Sequence, residues 1–389
     1  MKKIISVLTA TRAEYGLLKP IITKLNNIKE FDVRIVVTGA HLSPEFGLTY
    51  KQIEEDGFSI DEEIEILLSS DSPASISKSM GLAMIGFSDY FKKLNPDLLI
   101  VLGDRYETLA VAIAAMNQRI PIAHLYGGEI TEGAVDEAFR HAITKLSYLH
   151  FVSTEEYRRR VIQLGESPDR VFNVGAIGIE NILNEKFLSR KELEEELKID
   201  TNVPYAVVTF HPVTLENNSS RNQIESLLEV CKSYENMNFI FTKANADAEG
   251  RIINLLIDEY ASKNNNIMAY TSLGTVKYLS ALKYCSVVIG NSSSGLLEAP
   301  SFGIPTVNIG DRQRGRIKAS SVIDCEPTQG SIKQAIDLAL SVEFKNKAKK
   351  TINPYGNGNT SEKVIDVIKR FLLSDKVDLK KRFYDYKIN

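Results

Sequence analysis

Short unbroken apolar runs, each closed by glycine, proline or a polar cluster, alternate along the chain with longer stretches of helical periodicity. Such runs suit strands buried on both faces, as in a parallel sheet. In the first half, Ile4–Leu8, Val33–Val37, Leu98–Leu102, Ile122–His124 and His150–Val152 read as strands. Leu17–Asn26, Pro73–Leu94, Arg105–Asn117, Asp136–Lys145 and Glu155–Leu164 read as the helices between them. Strict strand–helix alternation predicts a doubly wound α/β domain.

The alternation restarts after Ile179–Leu183. Tyr205–Phe210, Asn238–Thr242, Ile267–Tyr270, Ser286–Ile289 and Thr306–Ile309 are the expected strands of a second such domain. Ser219–Lys232, Ala248–Lys263, Thr275–Lys283 and Gly295–Ser301 are its expected helices, and the charged stretch Asn184–Asp200 a helical connector. This gives an α/β chain of two Rossmann-like doubly wound domains facing a central cleft. Residues 1–180 form the first, with a carboxylate-rich loop, and residues 181–362 the second, with the diphosphate loop described below. In residues 363–389, the end of the helical stretch Ser361–Leu373 and a basic tail pack back on the first domain. No internal repeat or low-complexity tract interrupts the pattern.

Composition changes this picture little. At 389 residues, with 43% apolar and 25% charged, two ordinary globular domains are the default. A net charge of −3 gives no reason to expect nucleic acid or an anionic membrane as partner. Cys231, Cys285 and Cys325 form no CxxC pair, which suits neither a disulfide framework nor a zinc site and fits a reducing cytoplasm. The first apolar run, Ile4–Leu8, is too short for a signal peptide or a membrane span.

In open parallel sheets, ligands sit beyond the carboxyl ends of the strands, so the polar residues there carry the candidate chemistry. Thr9-Ala10-Thr11-Arg12 feeds a helix start, where Arg12 can bind an anion or simply cap a turn. Without GxGxxG it gives no sign of a dinucleotide. In Gly103-Asp104-Arg105, Asp104 is a candidate acid or base and Arg105 a candidate clamp, against a plain N-cap. The loop Leu125–Glu137 holds three glycines and four carboxylates, dense enough for function. Glu129 and Asp136 join Asp104 as the preferred acid/base set, because clustered carboxylates raise one another's pKa. Glu132 and Glu137 read as helix-start charges, and His141 is a weak candidate.

In the second half, His211 precedes Pro212 at a strand end and is a candidate acid or phosphate ligand. Asn245 follows another strand end and is a weaker candidate for base or ribose contact. Gly290-Asn291-Ser292-Ser293-Ser294-Gly295 opens a helix and offers amides and hydroxyls to an anion. No Walker lysine follows, so it is no ATPase loop. Glu298 is placed to accept ribose hydroxyls, and Arg312, Arg314 and Arg316 follow the next strand. Donors and cations on adjacent strand ends point to a diphosphate.

These motifs together resemble the UDP-N-acetylglucosamine 2-epimerase family, in its hydrolysing branch of sialic-acid-type sugar synthesis. The resemblance runs over nearly the whole chain, from Thr11–Gly16 through Gly103–Glu107, Gly127–Glu129, Asp136–Lys145 and Phe210–Pro212 to Gly290–Gly295 and Gly310–Gln313. It implies a glycosyltransferase-B-like fold that closes on UDP-N-acetylglucosamine. The C2 proton and UDP leave in an anti elimination to give a 2-acetamidoglucal, and hydration releases N-acetylmannosamine. No nicotinamide or metal takes part. By motif, Asp104, Asp136 and His211 match catalytic positions, while Arg12, Ser292, Ser293, Glu298 and Arg312 match UDP contacts, with Asn245 a looser match. The resemblance also implies a homodimer or homotetramer.

One position departs: Tyr126 stands where many relatives carry a carboxylate. Either Glu129 supplies that function, or Tyr126 marks a different sugar, such as a 2,4-diacetamido-2,4,6-trideoxy one. Two other readings compete. A retaining glycosyltransferase shares the architecture but has no C2 proton to remove and so no use for the carboxylate loop. A non-catalytic nucleotide-sugar sensor would not need Asp104, Glu129, Asp136 and His211 together.

Overall fold

A computed structural model of the chain describes residues 2–70, 72–130, 135–212, 220–243, 250–374 and 379–386. The chain divides into two compact units, Met1–Asn181 with Gly358–Asn389, and Ile182–Asn357. Among the described residues no helix is long and apolar enough to cross a membrane.

The first unit opens with β1 (Lys3–Thr9), α1 (Arg12–Asn26), β2 (Phe31–Thr38), α2 (Lys51–Glu55) and β3 (Ile60–Ile64). It continues with α3 (Pro73–Leu94), β4 (Leu98–Leu102), α4 (Tyr106–Asn117), β5 (Ile122–Leu125), α5 (Val135–Leu146), β6 (Leu149–Val152), α6 (Glu155–Gln163) and β7 (Val171–Asn173). The unit boundary falls in α7 (Ile177–Asn184). Among the described residues its sheet is seven-stranded, ordered β3-β2-β1-β4-β5-β6-β7, with every pairing parallel. Strand order reverses between β1 and β4, which is the switch point where open α/β sheets bind ligands.

The second unit holds α8 (Arg190–Leu197), β8 (Tyr205–Thr209), α9 (Ser220–Lys232), β9 (Asn238–Thr242), α10 (Gly250–Lys263), β10 (Ile267–Tyr270) and α11 (Gly274–Tyr284). Then come β11 (Val287–Gly290), α12 (Ser294–Leu297), β12 (Thr306–Ile309), β13 (Val322–Cys325), α13 (Gln329–Leu340) and α14 (Val342–Lys349), after which α15 (Thr360–Leu372) belongs to the first unit. Among the described residues the second unit's sheet is six-stranded and parallel, ordered β10-β9-β8-β11-β12-β13, and reverses between β8 and β11. Both units are therefore doubly wound, as the alternation predicts.

Local boundaries differ from the sequence reading for identifiable reasons. α1 starts a turn before Leu17, because Thr11 and Glu14 form a reciprocal capping box around Arg12. Of the stretch read as a connector, Arg190–Leu197 is helical and Asn184 ends α7, and the helix expected over Gly295–Ser301 is one α-turn followed by a 3-10 turn at Ala299–Phe302. β3, β7 and β13 were not anticipated; all three are edge strands.

α15 lays Val364, Ile365, Ile368 and Leu372 into the core that also holds Leu18, Ile21, Ile22 and Leu25 of α1. The buried Glu180 carboxylate anchors its start, accepting the Ser361 N–H at 2.6 Å, the Ser361 hydroxyl, and Lys24 Nζ at 3.3 Å. A carboxylate is favoured there, where helical N–H groups lack partners.

The tail adds a second anchor. Lys381 Nζ donates to Glu166 Oε2 at 2.6 Å and to the carbonyls of Lys145 and Ser147 at 2.8 and 2.7 Å, so its three donors meet three acceptors. Those carbonyls lie at the end of α5, where a cation is favoured. Burial opposes ionisation of Glu166, but His150, Lys145 and Lys381 hold its carboxyl down at about 2. A depressed carboxyl adds stability above its ordinary titration range, and the gain is lost as pH falls through the folded value. Glu166→Gln is therefore expected to destabilise the protein at pH 7. In urea titrations, the gap from wild type should close as pH falls from about 4.5 toward about 2. A gap that stays constant across that window would show that charge is not what Glu166 contributes.

Candidate active site

In the first unit the candidate residues gather where β1, β4 and β5 end. The short turn after β1 places Arg12, exposed, as the first residue of α1. The turn after β4 carries Asp104 and Arg105 into the start of α4. His124 braces that turn from β5: its Nε2–H donates to the Gly103 carbonyl at 2.8 Å, and Nδ1 lies 3.3 Å from the Thr144 hydroxyl. Burial pushes the His124 pKa down to about 3, so the ring stays neutral and donates from Nε2.

Arg140, one turn into α5 and 3% exposed, joins the turn after β4 to the loop after β5. It forms an ion pair with Asp104 and donates to the Glu129 carbonyl at 2.8 Å. The Glu129 carboxylate accepts from the Ser153 hydroxyl at 3.1 Å. Asp136 lies on the exposed first turn of α5. Partial desolvation and the charge of Asp104 push its carboxyl up, against the pull of Arg105 and Arg140. Arg140 thus links Asp104 to the backbone of Glu129, within electrostatic reach of Asp136. His141 instead lies 3.7 Å from Glu137, its own neighbour one turn back, and burial lowers its pKa. Glu132 is outside the described residues.

Tyr126 directly follows β5. Its φ is +68°, its ring packs against the core of the first unit, and its hydroxyl accepts the Gly178 N–H at 3.3 Å.

In the second unit the ends of β8 and β11 are joined through Asn291, which is fully buried. Its side chain accepts the His211 N–H at 2.7 Å and donates to the His211 carbonyl at 2.8 Å. Its own carbonyl accepts from Arg312 Nη1 at 3.1 Å and Gln313 Nε2 at 2.9 Å. His211, Ser292, Ser293 and Arg312 are thereby held around one residue. Because α12 is a single turn, a helix dipole adds little here; the amides and hydroxyls must themselves act as donors. Glu298 ends that turn, where Ser294 donates to its carboxylate and Tyr278 donates to Ser294 at 2.7 Å. Burial pushes the Glu298 carboxyl up. Asn245 lies outside the described residues.

Residues 23–369 match the model of a family described as UDP-N-acetylglucosamine 2-epimerase. The chain belongs to that family. It is 45% identical to a Campylobacter jejuni protein named GDP/UDP-N,N'-diacetylbacillosamine 2-epimerase (hydrolyzing), over 88% of this chain and 89% of that one. It is 41% identical to the Escherichia coli polysialic acid biosynthesis protein P7, over 99% and 98%. Among solved structures, UDP-GlcNAc 2-epimerase from Neisseria meningitidis bound to UDP-GlcNAc shares the fold, with a TM-score of 0.82 at 21% identity over 95% of this chain and 100% of that one.

As a 2-epimerase family member, the chain shows organising residues to which the sequence reading gave no role. Arg140 links Asp104 to Glu129, and Asn291 links His211 to Arg312. Arg140 lay within a recognised motif, but its partner is 36 residues away. No local pattern reveals that contact.

Proposed function

We propose that the protein is a hydrolysing 2-epimerase of a UDP-linked 2-acetamido sugar, with UDP-N-acetylglucosamine as substrate and UDP and N-acetylmannosamine as products. The observation that carries this reading is the Asp104–Arg140–Glu129 linkage with the upward-shifted Asp136 beside it. A carboxylate of this set takes the C2 proton while the C1–O bond to UDP breaks, leaving a C1–C2 double bond. Water then returns hydroxyl to C1 and a proton to C2 on the opposite face. The C2 proton is a poor acid, so the base must be held in position and the departing diphosphate stabilised. Arg12, Ser292, Ser293 and Arg312 supply the donors for UDP, Glu298 accepts from the ribose hydroxyls, and His211 serves as an acid near the leaving group.

A second reading of the sugar is favoured by the Campylobacter relative, which is named for N,N'-diacetylbacillosamine. The reaction would be the same, on UDP-2,4-diacetamido-2,4,6-trideoxyglucose.

Incubation with UDP-N-acetylglucosamine in D₂O, followed by NMR, tests both. Free UDP with N-acetylmannosamine deuterated at C2 is the expected result. Intact UDP-N-acetylglucosamine at saturation, with turnover of the diacetamido compound, selects the second reading. No UDP release from either would sink the reaction class.

A further inference from the structure

Two buried carboxylates that this reaction does not use, Glu107 and Glu14, lie within electrostatic reach of Arg105. Glu107, fully buried in the first turn of α4, accepts Arg105 Nε and Nη2 on a single oxygen at 3.1 and 2.9 Å. Its other oxygen, Oε2, is buried without a hydrogen-bond partner. A half-satisfied buried carboxylate is destabilising, and a leucine would fill similar volume without that penalty. What Glu107 does for Arg105 is then the reason for it to be there.

Glu14, 7% exposed, is the second of them. It accepts the N–H groups of Ala10 and Thr11 at 2.7 and 3.1 Å, which shapes the turn leading to Arg12. Burial pushes its carboxyl up to about 7, with Glu107 adding to the rise and Arg105 opposing it. The Tyr106 ring lies 5.9 Å from the guanidinium carbon. Arg105 in turn favours the ionised form of Asp136, as does Arg140 from α5, while Asp104 disfavours it. A planar guanidinium fixed along its Nε–Nη2 edge has its remaining donors fixed in direction too.

We propose that Glu107 is a positioning residue: it grips Arg105 by one edge so that the guanidinium is held in one place just after β4, within electrostatic reach of Asp136, and it serves the reaction only through Arg105. This rests on the reading of Asp136 as an acid/base group.

The test is a double-mutant cycle of R105M and E107L, with kcat, KM and pH profiles for each variant. Each single variant should lose ~10- to 100-fold in kcat with KM changed much less. The double variant should be no slower than R105M, within about threefold. Without a placed cation the ionised form of Asp136 loses support. The acid limb of kcat/KM should therefore move to higher pH by about half a unit or more in both single variants. Multiplicative losses in the double variant, or a limb that moves in R105M but not in E107L, would overturn the proposal. Should E107L fail to fold, the same cycle with E107Q decides by the same criterion of non-additivity. If wild type turns over neither sugar nucleotide, the proposed reaction fails by itself. In that case, carboxyl ¹³C NMR of Asp136 tests the grip without turnover. A pKa raised in both R105M and the folded Glu107 variant supports it, and a rise in R105M alone overturns it.

Discussion

Asp104→Asn is expected to lower kcat by about three orders of magnitude while UDP binds within roughly threefold of wild type. Asparagine keeps the shape and an acceptor oxygen but cannot take a proton or carry charge. The substitution also takes the Asp104 carboxylate away from Arg140, 3% exposed, so a lowered melting temperature should accompany it. The two effects separate cleanly. Loss of stability reduces the amount of folded enzyme, whereas loss of a proton-transfer group lowers kcat per folded molecule and leaves the nucleotide residues of the second unit untouched. Calorimetric titration with UDP, beside steady-state turnover on whichever sugar nucleotide wild type accepts, makes the comparison. Unchanged turnover would remove Asp104 from the chemistry and leave Asp136 and Glu129 as the acid/base candidates. Loss of UDP binding in parallel with turnover would mean that Asp104 supports the fold rather than the reaction.

The two sheets were legible in the sequence where strands are buried on both faces. β4 reads Leu98-Leu99-Ile100-Val101-Leu102, all buried, and nothing but a central strand suits it. β3 reads Ile60-Asp61-Glu62-Glu63-Ile64 at a sheet edge, where charge guards against pairing with another chain and hides the strand from a hydrophobicity pattern. The start of α1 was legible in principle, since Thr11 and Glu14 have capping-box spacing, but the apolar stripe drew the boundary to Leu17. At the site, residues directly after central strands could be named one by one, because strand ends in such sheets face ligands. The residues that hold them could not. Asn291 meets His211 across 80 residues. The Asn291 contact follows from register between β8 and β11, which spacing along the chain does not encode.

Gly290→Ala is the substitution expected to damage the second unit most. Gly290 has φ +130°, and a Cβ there would lie 1.9 Å from the Thr209 carbonyl oxygen. That oxygen belongs to the neighbouring strand β8 and accepts the Asn291 N–H at 3.2 Å, so no rotamer change makes room. Alanine would force the end of β11 away from β8 and break the paired Asn291–His211 hydrogen bonds with it. Several such contacts at once put the expected loss at ~3 kcal/mol or more, a hundredfold in UDP affinity if it falls on the loop alone. Gly295→Ala is the informative contrast. Its Cβ would lie 2.6 Å from Thr306 Cγ2, a side-chain methyl, while the Thr306 hydroxyl donates to the Gly295 carbonyl. Thr306→Ser removes that methyl and keeps the hydroxyl, so Gly295→Ala combined with Thr306→Ser should recover most of the melting temperature and UDP affinity. No trimming of a neighbour should rescue Gly290→Ala. Near-wild-type UDP affinity in that variant would show that the loop binds no diphosphate in the geometry β8 and β11 impose on it.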